Sequence, residues 1–472
     1  MYLTFESCSQ IELLMFEYPQ GTIDSLNTLS EDQFTSLKHP NFPKYSVRIK
    51  KSRGFCDDEA DAYTGYVDVE AKHFFFYFFE SRHKPDEDDV ILWMNGGPGC
   101  SGTFGLFMEL GPCRVISQNE TRFNPYSWTE HANMIFIDQP VGAGFSYADY
   151  GEYVSTTDEA ADDFASFIAI FFEQFTKFRG RAFHLAGESY GGRFIPVFAS
   201  RIHDRNAQLA KAGLTPINLK SIMIGNGCTD NMSMLPSYYD LQCLPVSVPP
   251  VTDIATCVGI KNILPRCNKW LKESCVDMFD MINCRAAYSW CRAAIGGSFD
   301  WNKTNPYDMS KSCEGNLFDD LCYPITKNIS SYLNQPQIQR IIGIDPTSPK
   351  ANFSSCDEKI SADFGSNLDS VFPTQLYIEA LLHRGVKVLI YVGANDWLCN
   401  WVGNERMTLN LQWAGQKEFI NEPLKEWSID VQIVGKFRHH GLLTFVTLDG
   451  AGHFAPYDKP ITALEIVKRW LK

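Results

Sequence analysis

Long apolar runs are missing from this chain of 472 residues. None approaches the ~18 residues that a helix needs to cross a bilayer, and the greasiest segment, "HFFFYFF" at 73–79, has the length of a strand. No membrane span is expected. Positive charge is also short: Lys and Arg number 42 against 56 Asp and Glu, a formal charge of −14, and no basic run exceeds Lys50–Lys51. Such a surface repels phosphate backbones, so nucleic acid is excluded as a partner. The first residues, "MYLTFESCSQIELLMF", carry Glu6 and Glu12 and no basic leader, so no signal peptide is evident in this chain. Histidine is sparse, with none between His203 and His383, and the cysteine-rich stretch that this interval contains has no C-x-x-C pair. A zinc site needs such ligands, so neither a metal nor a cofactor is expected.

Cysteine itself is abundant. Of 15 cysteines, eight fall between Cys243 and Cys322. With zinc set aside, that density indicates disulfides and hence an oxidising compartment, a vacuole or lysosome-like lumen or the cell exterior. Five Asn-x-Ser/Thr sequons, at Asn119, Asn231, Asn302, Asn328 and Asn352, agree with the secretory route.

Short apolar runs ending in glycine- or turn-rich loops recur at 89–99, 133–142, 183–192, 219–227, 386–396 and 442–453 and read as buried parallel strands. Between them, Phe164, Phe167, Ile168, Phe171, Phe172 and Phe175 mark one face of a helix over 157–175 behind an acidic first turn. The alternation predicts an α/β fold with a mostly parallel central sheet flanked by helices. From 229 to 370 the strand rhythm stops while cysteines, prolines and sequons concentrate, which predicts a cap insertion. Residues 1–53 are polar, weakly patterned and end in "RIKKSRG", which reads as a pro-segment-like region. Core segments are then expected at 54–228 and 371–472.

Two serines compete for a catalytic role. Gly187-Glu188-Ser189-Tyr190-Gly191 satisfies the G-x-S-x-G pattern between the strand "FHLA" and a helical stripe of Phe194, Val197 and Phe198, the strand–turn–helix that exposes a nucleophile. Ser146, in "AGFSYADY", has Ala148 where the second glycine belongs and lies in a loop, so it takes a structural role at the cleft rim. Nucleophilic serine needs a base and an orienting acid, which follow it in the order acid, then His in α/β-hydrolases. Among five later histidines only His453 sits in a glycine-flanked loop past a strand, and Asp396 holds the equivalent place after "VLIYVGAN". Carboxyl ends of parallel strands share one edge, so Ser189, Asp396 and His453 should converge there. Backbone N–H groups of 95–99 and Tyr190 are then candidates for an oxyanion hole.

The stretches "WMNGGPGCSG", "DQPVGAGFSY", "GESYGGRFIPVFA", "NDWLCNWVGN" and "GAGHFAPYDKP", in this order, resemble the serine carboxypeptidases over residues 60–472. That resemblance implies an α/β-hydrolase fold with a disulfide-rich cap and the release of C-terminal residues from peptides and proteins at acidic pH. It assigns catalysis to Ser189, Asp396 and His453, and oxyanion donors to Gly97 and Tyr190. Substrate-carboxylate binding falls to Trp93, Asn95, Gly96, Glu109 and Glu188. The residue before the scissile bond would meet Tyr190, Cys228, Tyr238, Leu398 and Cys399, and the leaving residue Thr103, Met108, Tyr307, Tyr323 and Phe454; both linings favour hydrophobic side chains. The implied disulfides are Cys100–Cys356, Cys243–Cys257, Cys267–Cys291, Cys275–Cys284 and Cys313–Cys322, leaving Cys8, Cys56, Cys113, Cys228 and Cys399 unpaired. The chain departs from a close relative at Cys228, where that relative has leucine, and at Phe454, where it has methionine. Acyltransferases on the same scaffold usually carry Asp in place of the Glu before the serine, whereas this chain keeps Glu188.

Overall fold

The computed structural model describes residues 26–39, 42–57, 59–149, 151–345, 348–350 and 352–472. Strands follow the chain as β1 (Thr35–His39), β2 (Phe42–Lys51), β3 (Ala62–Val69), β4 (Lys72–Phe79), β5 (Val90–Met94), β6 (Cys113–Ser117), β7 (Glu120–Phe123), β8 (Asn133–Ile137) and β9 (Tyr147–Ala148). Next come β10 (Phe183–Ser189), β11 (Leu219–Gly227), β12 (Lys387–Gly393), β13 (Lys425–Ile429), β14 (Gln432–His440) and β15 (Leu443–Leu448). One large sheet runs β1-β2-β3-β4-β8-β5-β10-β11-β12-β15-β14-β13, with β9 beside β4 and with β6 and β7 paired separately. Its centre, from β8 to β15, is parallel, and both flanks are antiparallel. All six strands expected from the apolar runs are present in that parallel centre.

Strand β4 shows why the sheet is covered on both faces. Side chains alternate along a strand, and here Phe74, Phe76 and Phe78 join one core while Phe75, Tyr77 and Phe79 join the other. On the first face Phe76 packs edge-on against Phe167 and Phe171 of helix α1 (Thr157–Gln174). Thr156 caps that helix by accepting from the Glu159 N–H, and Asp158 and Glu159 lie in its first turn, where negative charge suits the N-terminal end of the helix dipole. Each buried phenylalanine contributes roughly 1.5–3 kcal/mol relative to exposure.

The first boundary differs from expectation. β2 pairs along β3 from Tyr45 to Lys51, with Val47 and Ile49 fully buried, so the sheet begins ahead of residue 54 and includes part of the 1–53 region. The sequence signal was weak because antiparallel flank strands mix buried and exposed positions. Residues 1–25, with Cys8, lie outside the described residues.

Among the described residues no strand occurs between Gly227 and Lys387. Helices α3 (Asn231–Cys243), α4 (Ile254–Leu271) and α5 (Met281–Gly296) build a layer there whose small core contains Cys267, Cys275, Cys284 and Cys291 beside Leu235, Ile260 and Ile295. Disulfides tie α3 to α4 through Cys243–Cys257 and α4 to α5 through Cys267–Cys291, which supports a layer too thin to bury much apolar surface.

All five implied disulfides form, but two of the supposedly free pairs are bridged as well: Cys56–Cys113 and Cys228–Cys399. Their Cα atoms lie 5.3 and 4.9 Å apart, a closeness that only the folded chain reveals, since the sequence separations are 57 and 171. Fourteen of 15 cysteines are thus paired. Thiol titration of denatured, unreduced protein should find at most one thiol per chain, from Cys8; a count of five would restore the earlier assignment.

Candidate active site

After β5 the chain places β8 on one side and β10 on the other, so the carboxyl ends of β5 and β10 border the crevice where open α/β sheets bind ligands. Ser189 ends β10 with φ of +58°, in the left-handed region that a non-glycine side chain adopts at a cost, and helix α2 (Gly191–Lys211) starts two residues on. The turn is tight. A Cβ on Gly96 would approach Tyr190 N to 2.3 Å and Ser189 Cβ to 2.8 Å, so only glycine lets the loop after β5 lie against the serine. Gly97 follows with φ of +107°.

Asp396 follows β12 and His453 follows β15. His453 Nδ1 lies 2.8 Å from Asp396 Oδ2, with His453 almost completely buried and Asp396 fully so. A carboxylate only accepts, so Nδ1 carries the proton and Nε2 is left as the basic nitrogen. Three further donors hold the acid: Leu398 N–H at 2.9 Å on Oδ1, and Asn226 Nδ2 at 2.9 Å and Cys399 N–H at 3.3 Å on Oδ2. Asn226, at the end of β11, also accepts from the Gly393 N–H through Oδ1. Sequence reasoning missed this residue; its signal was the apolar run "SIMIG" ending in an asparagine. Asn226→Ala removes a hydrogen bond to a charged group, worth roughly 1.5–3 kcal/mol. It should lower kcat about 10- to 100-fold with little change in KM, checked by steady-state kinetics.

Beside Ser189 a second polar group is buried. Asn95 accepts from Trp93 Nε1 at 2.9 Å and Gly105 N–H at 3.0 Å through Oδ1. That fixes the amide, whose Nδ2 donates to Glu188 at 2.9 Å and Glu109 at 3.4 Å. Burial pushes the Glu109 carboxyl up to about 7, and burial with the neighbouring Glu109 charge pushes Glu188 well above the usual carboxylate range.

A cavity of about 540 Å³ joins these groups. Ser189, Tyr190, His453, Asn95, Gly96, Gly97 and Glu188 line it, with Cys228, Tyr238, Leu398, Cys399, Tyr307 and Phe454. Tyr323 stands behind Tyr307 and Phe454 at ring distances of 6.3 and 5.1 Å. Trp93, Thr103, Met108 and Glu109 are buried away from the wall. Cap residues unmarked in the sequence also face the cavity, among them Leu235, Tyr288 and Arg292. Ser146 is fully buried, donating to the Asp138 carbonyl at 2.6 Å and accepting from the Phe75 N–H at 2.8 Å. Its role is structural as expected, but inside the core and not at the rim.

The serine carboxypeptidase family profile matches residues 56–472. The chain belongs to the serine carboxypeptidase family. This carboxypeptidase is 38% identical over 459 residues to carboxypeptidase Y homolog A of Paracoccidioides brasiliensis strain Pb03, covering 94% of this chain and 80% of that one. Carboxypeptidase Y of Candida albicans is 38% identical over 435 residues, covering 91% and 77%. Among solved structures, Kex1(delta)p, a prohormone-processing carboxypeptidase from Saccharomyces cerevisiae, superposes with a TM-score of 0.70 at 24% identity, covering 90% of this carboxypeptidase and 91% of that chain, which shows the shared fold. The α/β-hydrolase architecture and the serine-type carboxypeptidase class expected from the sequence both stand.

Proposed function

We propose that Ser189, His453 and Asp396 release C-terminal residues through an acyl-enzyme, and that Asn95, Glu109 and Glu188 hold the substrate's free carboxylate. The observation that carries this is one cavity presenting a nucleophilic serine, a carboxylate-oriented histidine and the acid Glu188, with Glu109 behind the wall on the same Asn95 amide. In this mechanism Ser189 Oγ attacks the scissile carbonyl while His453 Nε2 takes its proton; the amides of Gly97 and Tyr190 stabilise the oxyanion. His453 then protonates the leaving amine, and water hydrolyses the ester by the same steps reversed. Trp93 and Gly96 hold the Asn95 loop in place. Tyr307 and Phe454, backed by Thr103, Met108 and Tyr323, receive an apolar leaving residue.

Seven disulfides support an oxidising compartment as the place of action. Asn119, Asn302 and Asn352 are exposed and suit glycans. Asn328 is half-buried, and Asn231 lines the cavity with its amide on the Ser370 carbonyl, which disfavours one there. Among the described residues no helix is long and apolar enough to cross a membrane.

The test is a peptide assayed at pH 5 as free acid and as C-terminal amide. The acid should turn over at least 100-fold faster in kcat/KM; equal rates would remove the carboxylate clamp.

A further inference from the structure

The cleft has two ends. Asn95 and Glu188, at the carboxyl ends of β5 and β10, form one; the Cys228–Cys399 bridge, at the carboxyl ends of β11 and β12, forms the other, with Ser189 between. If the substrate's terminal carboxylate sits with the acids, the peptide before the scissile bond runs toward the bridge. Both sulfur-bearing residues line the cavity, and Cys399 is only 1% exposed, so the disulfide is a closed wall between substrate and core.

The bridge is also wired to the chemistry. Cys228 N–H donates to the Ser189 carbonyl at 2.9 Å, and Cys399 N–H donates to Asp396 at 3.3 Å. One covalent link therefore joins a residue bonded to the nucleophile's backbone and a residue bonded to the acid. Beside it, Tyr238 stacks on Trp397 at 4.2 Å and donates its hydroxyl to the Leu398 carbonyl at 3.0 Å, which stiffens the same wall. A wall held by a covalent bond and a stacked, hydrogen-bonded ring cannot swing aside for a larger side chain.

We infer that the Cys228–Cys399 disulfide sets the size limit for the substrate side chain before the scissile bond while positioning the Asp396 turn against the Ser189 elbow. This rests on the carboxypeptidase reading of the same cavity. Removing both sulfur atoms deepens the pocket by about the bulk that a hydrophobic site discriminates 10- to 200-fold. Serine at both positions keeps most of the volume and can replace the bond by an O–H···O hydrogen bond of about 2.8 Å.

The experiment compares the parent, Cys228→Ala/Cys399→Ala and Cys228→Ser/Cys399→Ser, each normalised by fluorophosphonate active-site titration. Blocked dipeptides vary either the residue before the bond (Trp against Ala) or the leaving residue (Leu against Ala). The alanine pair should raise the Trp/Ala ratio of kcat/KM at least tenfold, the serine pair should stay within about threefold of the parent, and the leaving-residue ratio should hold in all three. A disulfide that only stabilised the fold would lower Tm without moving the first ratio. An unchanged Trp/Ala ratio in titratable alanine-pair enzyme overturns the inference, and so does the absence of any titratable enzyme in both variants, which would make the bridge a folding staple alone. A parent that releases no C-terminal residue would instead overturn the proposed function.

Discussion

Ser189→Ala should lose about 10⁶-fold in kcat, leaving only the small residual rate that oxyanion stabilisation and binding supply. The loss is this large because serine and histidine act as one unit: without Oγ there is no acyl-enzyme, and the ordered His453–Asp396 pair has nothing to deprotonate. Fluorophosphonate labelling should fall with activity. Ser146→Ala provides the control, since that hydroxyl is spent on Asp138 and Phe75 in the core; the variant should lose stability yet still label at Ser189, one adduct per chain by mass spectrometry. Labelling that persists in Ser189→Ala and vanishes in Ser146→Ala would reverse the assignment.

The second large effect is on pH dependence. Both Glu109 and Glu188 are raised by burial, Glu109 to about 7 and Glu188, beside the Glu109 charge, well above the usual carboxylate range. A raised carboxylic acid is protonated below its shifted value, so at pH 5 both acids carry protons, and Glu188 on the cavity wall can donate to the substrate carboxylate with Glu109 behind it on the same Asn95 amide. As pH climbs through about 7 the pair gives up its first proton, and a fixed negative charge then faces a negative substrate end. For a peptide acid, kcat/KM should therefore fall about tenfold per pH unit above 7, through KM and not kcat. The matching ester has no terminal charge and should hold its rate. Glu188→Gln donates a hydrogen bond without ionising, and it should flatten the acid's profile while lowering its peak. Parallel acid and ester profiles in the parent enzyme would contradict the clamp.

The parallel strands, and the positions of Ser189, Asp396 and His453 at or just past the ends of three of them, were legible because each signal is local in the chain. An apolar run followed by a glycine-rich loop marks a buried strand and its functional end together, as "FHLAGESYGG" does for Ser189 and "VLIYVGAND" for Asp396. What escaped is set by contacts distant in sequence. Val47 and Ile49 occupy alternate positions too few to stand out, and only pairing with β3 shows that they belong to the sheet. Cys228 and Cys399 are 171 residues apart in the loops that follow neighbouring strands, so their bond depends on strand order, which the residues do not spell out. Asn226 looked like a strand end until Asp396 was placed beside it. The cap residues Tyr288 and Arg292 face the cleft from a helix whose buried side chains are Cys284, Ala287, Cys291 and Ile295, so its position is fixed by two disulfides and a thin core that lie far from the catalytic motifs in sequence.

The most direct test of the central claim is mass spectrometry of a mixed peptide pool incubated with the enzyme at pH 5. The account predicts ladders of successive single-residue losses from free C-termini only, fastest for apolar residues, with amidated peptides intact and all products absent for Ser189→Ala. Cleavage at internal bonds, or equal loss from amidated peptides, would contradict it.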